Sequence, residues 1–189
     1  MIISFIGPSG CGKGTQSKNL IDRDRFEAIS GGAILREEFT NKTKIGIELY
    51  EKFWKDGKWV PDDIIFKLII EKFNRTKNRN IIFDAYPRTL IQAQLLDDYL
   101  LNISKRLDLV FIFDLSITES RKRIIVREQT ETRDDNSENA INLRLSNYYE
   151  NINKIREYYK GRYVDINALD SIEHIYNFIK EKINESKKQ

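Results

Sequence analysis

Two kinds of apolar pattern alternate along this chain. Short continuous apolar runs occur at 1–6, 26–30, 80–84, 107–113 and 163–166, and their length and lack of polar interruption predict strands buried on both faces. Between them, apolar residues recur every three or four positions, the spacing of a helix with one face in a core. Helices are predicted from Lys13, over 33–39, over 62–75, from Pro87 to about Leu101, over 118–129, and from about residue 135 onward, where Asp135 and Glu138 have the spacing of a capping box. In this last helix Ile141, Leu145, Tyr148, Ile152, Ile155 and Tyr159 form a core-facing stripe. Ile172, Ile175, Ile179 and Ile183 form the stripe of a closing helix that frays from Glu185.

Strands that alternate with helices predict a three-layer α/β fold, a parallel sheet with right-handed crossovers. Two stretches leave the alternation. Residues 31–75 are mainly helical without a strand of their own; Gly31-Gly32 reads as a turn into the first helix, 57–61 splits the rest, and Pro61 suits the first turn of the helix at 62–75. The polar run 128–136 has no apolar anchor and reads as a mobile loop.

The first strand runs into Gly7-Pro8-Ser9-Gly10-Cys11-Gly12-Lys13-Gly14-Thr15-Gln16. Gly7, Gly10, Gly12 and Gly14 allow positive φ and close backbone approach, so that successive N–H groups face an anion where the helix N-terminus adds partial positive charge. Lys13 is the informative residue, because a cation in a first helical turn is disfavoured by the macrodipole unless an anion lies there. The run departs from the pattern G-x-x-x-x-G-K-[ST] by placing Gly14 before the hydroxyl of Thr15. Cys11 has two readings, a thiol activated by the helix start and Lys13, or a small residue filling the loop; the second is favoured. Asp84 ends a buried strand beside this loop, which suits either a cap of the next turn or a carboxylate that reaches Mg²⁺ through water.

The 189 residues suit one domain with inserted lobes. One cysteine excludes an internal disulfide and a multi-cysteine zinc site, and fits a reducing compartment. Net charge of +3, from 32 basic and 29 acidic residues, is too balanced to argue for nucleic acid or a membrane surface. No apolar run reaches a membrane-spanning length and the start lacks a signal pattern, so a cytoplasmic protein is expected. The single histidine, His174, falls opposite the Ile172/Ile175/Ile179 stripe and reads as a surface residue.

The run Gly10-Cys11-Gly12-Lys13-Gly14-Thr15-Gln16 resembles the P-loop of adenylate kinases and related nucleoside monophosphate kinases, G-x-G-K-G-T-Q, while Gly7-Pro8-Ser9-Gly10 is similar to the opening of guanylate kinases. Further segments resemble adenylate kinases in order. Ser30-Gly31-Gly32-Ala33-Ile34-Leu35-Arg36 parallels S-T-G-D-x-L-R, and Asp84-Ala85-Tyr86-Pro87-Arg88 with Gln92 parallels D-G-F-P-R-T-x-x-Q. The resemblance implies a P-loop NTPase-type sheet with core 1–30, 76–127 and 137–189, an acceptor lobe 31–75 and a short lid 128–136 that carries no zinc. It implies phosphoryl transfer from Mg-ATP to a nucleoside monophosphate, AMP being favoured, by a chain that acts as a monomer.

Residue by residue, the likeness implies ATP contacts at Gly10, Cys11, Gly12, Lys13, Gly14, Thr15, Arg123, Arg127 and Asp170. Acceptor contacts are implied at Gly31, Arg36, Lys58, Trp59, Val60, Ala85, Tyr86, Arg88, Gln92, Arg133 and Arg144. The catalytic set is Lys13, Arg88, Arg127, Arg133 and Arg144, with Asp84 on a Mg²⁺-bound water. Recurrent arginine fits the chemistry, since planar guanidinium donors match phosphate oxygens and the acceptor, already an ionised phosphate, needs no general base. Gly31, Ala33 and Ala85 depart from the family residues near the acceptor base, and Gln92 offers either edge of its amide to a purine. GMP, UMP, CMP or a deoxynucleotide therefore remain as alternative acceptors, as does a catalytically silent nucleotide-binding protein. Trp54 and Trp59 also suit a purely structural role as core aromatics.

Overall fold

The computed structural model describes residues 1–77, 80–128 and 137–188. Five strands form one parallel sheet: β1 (Ile2–Ile6), β2 (Glu27–Ser30), β3 (Ile81–Asp84), β4 (Leu109–Asp114) and β5 (Tyr163–Asn167), in the order β2-β3-β1-β4-β5. Period-two alternation sorts the apolar runs onto the two faces. Ile2 and Ile6, Ile81 and Phe83, Val110 and Ile112 face one way; Ile3 and Phe5, Ile82, Phe111 and Phe113 face the other.

The helices cover both faces. α1 (Lys13–Asp24) and α8 (Ile172–Ser186) close the Phe5/Phe111/Phe113 side with Leu20, Ile175, Ile179 and Ile183. On the opposite side α4 (Asp62–Arg75), α5 (Leu90–Asn102) and α7 (Glu138–Tyr158) contribute Ile65, Ile69, Phe73, Leu96, Leu100, Ile152 and Ile155, joined by Tyr159 at the end of α7. Burying each such side chain contributes about 1.5–3 kcal/mol before entropy is counted. α2 (Gly31–Thr40), α3 (Lys44–Lys52) and a 3-10 turn at Trp54–Asp56 complete the excursion between β2 and β3, and α6 (Ile117–Glu128) follows β4.

Several local expectations are corrected. Gly31 and Gly32 are the first residues of α2, not a turn before it. Pro61, with φ −49° and ψ 142°, stands just outside α4 as its cap, and the helix proper opens on Asp62 and Asp63, whose charges suit the positive end of the dipole. α7 is capped by Ser137, whose side chain accepts from the Ala140 N–H, two residues beyond the expected Asp135. Ile172 is 58 % exposed. It opens α8 with its carbonyl accepting from Gln16 Nε2, so the apolar stripe begins one turn later. The helix also holds Glu185 and Ser186, beyond the expected start of fraying. Among the described residues, no helix is long and apolar enough to cross a membrane.

Parallel register sets the carboxyl ends of three strands side by side. Phe5 pairs with Asp84, and Asp84 with Ser30, so the segments after β1, β2 and β3 emerge together at one edge of the sheet.

Candidate active site

That edge is where the glycine loop turns into α1. Gly10 and Gly12 adopt φ of 83° and 93°, conformations that side chains with a Cβ resist, and Gly12 ends the turn at the start of the helix. Gly7 and Gly14 do not use positive φ, contrary to expectation. Gly7 is required for space, since a Cβ there meets Cys11 Sγ at 2.6 Å and Phe113 Cβ at 2.9 Å, whereas one on Gly14 meets nothing within 4 Å. Lys13 folds back over the loop, donating from Nζ to the carbonyls of Gly7 (2.7 Å) and Pro8 (2.9 Å) and lying 3.2 Å from Cys11 Sγ. Cys11 is buried among Phe5 and Phe113, which supports the filler reading over the reactive thiol.

One cavity opens beside this loop. Its lining joins Gly7, Pro8, Ser9 and Lys13 to Gly31, Arg36, Lys58, Trp59, Val60, Ala85, Tyr86, Arg88 and Gln92, and to Arg127 and Arg144. Trp54 and Tyr148 also line it, and Trp54 stands edge-on to Phe39 and Tyr50, so it serves core and cavity alike. Residues more than a hundred positions apart thus share one wall. Arg123 and Asp170 do not belong to that lining. Arg123 donates to the Ala168 carbonyl at 2.9 Å, beside the turn in which Asn167 Nδ2 donates to Asp170. It borders a second, shallow depression on α6 with Lys122, Ile125, Val126 and Arg127, and Arg127 borders both. Arg133 and the expected lid, apart from Glu128, lie outside the described residues. His174 is exposed, as expected.

The wall that holds Lys58, Trp59 and Val60 depends on one close approach. The 3-10 turn ends at Gly57, φ 75°, and a Cβ there meets the Ala140 backbone at 2.5–2.6 Å. The excursion is thereby seated on the first turn of α7, the helix that carries Arg144. Ala85 takes φ 57°, a backbone that glycine adopts more readily, and its carbonyl accepts from Arg88 Nε at 2.9 Å. Of the three departures grouped near the acceptor base, Gly31 and Ala85 line the cavity and Ala33 is exposed outside it. Gln92 is not free to offer either edge: its Oε1 accepts from the Arg88 N–H (2.8 Å) and its Nε2 donates to Asp62 Oδ1 (2.7 Å). Asp62 is a neighbour of the candidate site that sequence reading missed.

Electrostatically, Asp84 is the focus. Burial pushes its carboxyl above the usual carboxylate range, against the opposing pull of Lys13, Arg88 and Arg36. All three lie within electrostatic reach of it. Burial likewise raises the Tyr86 and Tyr148 phenols, which stay neutral at physiological pH. Trp59 Nε1 and the Tyr86 hydroxyl are buried without a hydrogen-bond partner within the protein. Such orphaned groups on a cavity wall suit contact with a polar ligand.

A P-loop lysine facing a wall of arginines across one cavity has the chemistry of phosphoryl transfer between nucleotides, and comparison with known proteins agrees. A family model described as adenylate kinase matches residues 5–164. The chain belongs to the adenylate kinase family. It is 33% identical over 185 residues to an adenylate kinase of Azobacteroides pseudotrichonymphae, with 96% of each chain covered. An adenylate kinase of Thermus thermophilus is 35% identical over 176 residues, 92% of each chain. One from Bacteroides fragilis is 32% identical over 180 residues, covering 94% of this chain and 95% of that one. The expected fold class, a P-loop NTPase-type parallel sheet, and the enzyme class, a nucleoside monophosphate kinase, both hold for this adenylate kinase family member.

Because the Asp84 carboxyl is held above its unfolded value of about 3.9, the stability it contributes is complete below that pH and is lost as pH rises through the folded value. Asp84→Asn is therefore expected to melt above the parent protein at pH 7.5, with the gap closing towards about pH 4, while activity falls. A lower melting temperature at pH 7.5 would show that the surrounding cations, not burial, dominate.

Proposed function

We propose that this enzyme transfers the γ-phosphoryl group of Mg-ATP reversibly to AMP, yielding two ADP. One observation carries the reading: Lys13 and the P-loop share a single cavity with Arg36, Arg88, Arg127 and Arg144 and with the Trp59–Gln92 wall. Such a lining offers cations to the phosphates of both a donor and an acceptor nucleotide. In this reading Lys13 leaves the loop carbonyls for the β- and γ-phosphates, helped by the N–H groups from Gly10 to Thr15. Arg36 and Arg88 hold the acceptor phosphate. Arg127 and Arg144, with Arg133, take up the charge that spreads over the transferring group. Arg123 and Asp170 flank the donor nucleoside, and Gly31, Lys58, Val60, Ala85, Tyr86 and Gln92 enclose the acceptor base.

The residues around Asp84 fit a Mg²⁺ ion carried mainly by phosphate and water. Thr15 is an exposed residue in the first turn of α1, and Ser17 Oγ, close enough to bias Asp84 towards its charged form, is buried with no formed hydrogen bond. Among the described residues, no group of three or more His, Cys, Asp or Glu could hold a metal by itself. Mg²⁺ commonly uses one or two carboxylates with phosphate and water. Asp84 and Thr15 would hold it through water and hydroxyl, and it would neutralise phosphate charge. We also read the enzyme as cytoplasmic, which its single cysteine suits, and as a monomer.

A coupled assay with Mg-ATP and each of AMP, GMP, CMP and UMP tests the proposal, with AMP expected to give the highest kcat/KM. Greater turnover of another monophosphate would overturn the acceptor. No turnover of any, with ATP still bound, would favour a silent binding protein.

A further inference from the structure

The side-chain network behind Gln92 restricts how the acceptor base is read. A glutamine amide presents one acceptor and one donor, and rotation by 180° exchanges them at little cost when its neighbours are indifferent. Here they are not. Arg88 N–H, a donor only, lies 2.8 Å from Oε1, and Asp62 Oδ1, an acceptor when ionised, lies 2.7 Å from Nε2. Asp62 is itself fixed: its Oδ2 accepts from Thr89 Oγ1 at 2.9 Å, and the same hydroxyl accepts from the Gln92 N–H and so caps α5. Reversing the amide would set oxygen against carboxylate and N–H against N–H, with both original bonds lost. Gln92 is 2 % exposed, so water cannot relieve the mismatch.

Each end of the fixed amide keeps one unused capacity, a second lone pair on Oε1 and a second hydrogen on Nε2, and Gln92 lines the cavity while Asp62 stands behind it. A 6-aminopurine presents a bare N1 that accepts and an amino group that donates. A 6-oxopurine reverses this order, with N1–H donating and O6 accepting. An amide held in one orientation matches one of these edges; an amide free to rotate matches both.

We propose that Asp62 is a specificity-determining positioning residue, which holds the Gln92 amide in one orientation so that the acceptor cavity selects a 6-aminopurine over a 6-oxopurine. The direction of the selection rests on AMP being the acceptor. Asp62→Asn keeps the shape and turns the carboxylate into an amide, which by rotating can present oxygen to Nε2 or N–H to Oε1 of Gln92. The measurement is kcat/KM for AMP and for IMP, whose base differs from adenine only at this edge, in parent and variant.

The parent is expected to favour AMP by at least about a hundredfold. In the variant that ratio falls at least tenfold, through an absolute rise in kcat/KM for IMP and a higher KM for AMP. Damage to the fold alone lowers both activities and creates no gain for IMP. A ratio within twofold of the parent's, at a comparable melting temperature, overturns the proposal. If Asp62→Asn does not fold, Asp62→Ser, which removes the charge and keeps a hydroxyl able to donate or accept, is read by the same ratio. If the parent prefers IMP, the AMP assignment fails, and the role of Asp62 is then judged by whether the same substitution narrows that opposite preference.

Discussion

Lys13→Ala is expected to lower kcat by about 10²–10³-fold, the cost of removing one preorganised charge from the site where charge develops. The fold should survive. Lys13 Nζ bonds the Gly7 and Pro8 carbonyls, so the loop loses two partners at about 1 kcal/mol each. The glycine turn itself is set by Gly10 and Gly12 and does not depend on the amine. A drop of several degrees in melting temperature follows, since 1 kcal/mol corresponds to about 2–4 °C in a chain of this size. An unchanged kcat in a folded variant would remove Lys13 from the chemistry. Because the amine must exchange carbonyl oxygens for phosphate, ATP affinity is expected to fall less than kcat.

Arg88→Ala should act on both binding and rate. The guanidinium is assigned to a phosphate present in the ground state and in the transition state, so KM for the acceptor should rise and kcat fall, with kcat/KM lower by about 10²–10³-fold, in keeping with 2–5 kcal/mol for truncating one partner of a buried charge pair. Arg88→Lys should recover only part of this. An ammonium cannot reproduce the planar fork, and Arg88 Nε also holds the Ala85 carbonyl in its left-handed turn. Loss of rate with no change in acceptor KM would move Arg88 from the acceptor to the donor side.

The layered fold was legible because its signals are local. Phe111 and Phe113 on one face and Val110 and Ile112 on the other need only the alternation of β4, and α4 runs over Asp62–Arg75 as the spacing of Ile65, Ile69 and Phe73 predicts. Helix ends were harder to read. Ile172 keeps the stripe's spacing yet stands in the first turn, before α8 settles onto α1, and Ser137 competes for the cap as well as Asp135 does by type alone. Motif positions pointed to side chains that the fold brings together: Lys13, Arg36, Arg88, Arg127 and Arg144 line one cavity. Asp62 was not legible, because its partner Gln92 lies thirty residues away on another helix, and an acid in a first helical turn already has a sufficient reason to be there. Ala33 misled for the opposite reason. Its neighbours in sequence line the cavity, but the helical turn carries it to solvent.

The contact between Gly57 and Ala140 sets a mechanical tolerance. Less than the width of a methyl group separates Gly57 from the backbone of α7, so the 31–75 excursion is seated there on main chain and not on compliant side chains. A backbone seat of this kind fixes the spacing to a fraction of an ångström, and the helix it touches carries Arg144 one turn further on. Any side chain at position 57 acts as a wedge that holds the wall ajar. A wall held ajar admits water to the phosphate under attack, and the fidelity of transfer over hydrolysis then depends on the absence of one carbon atom.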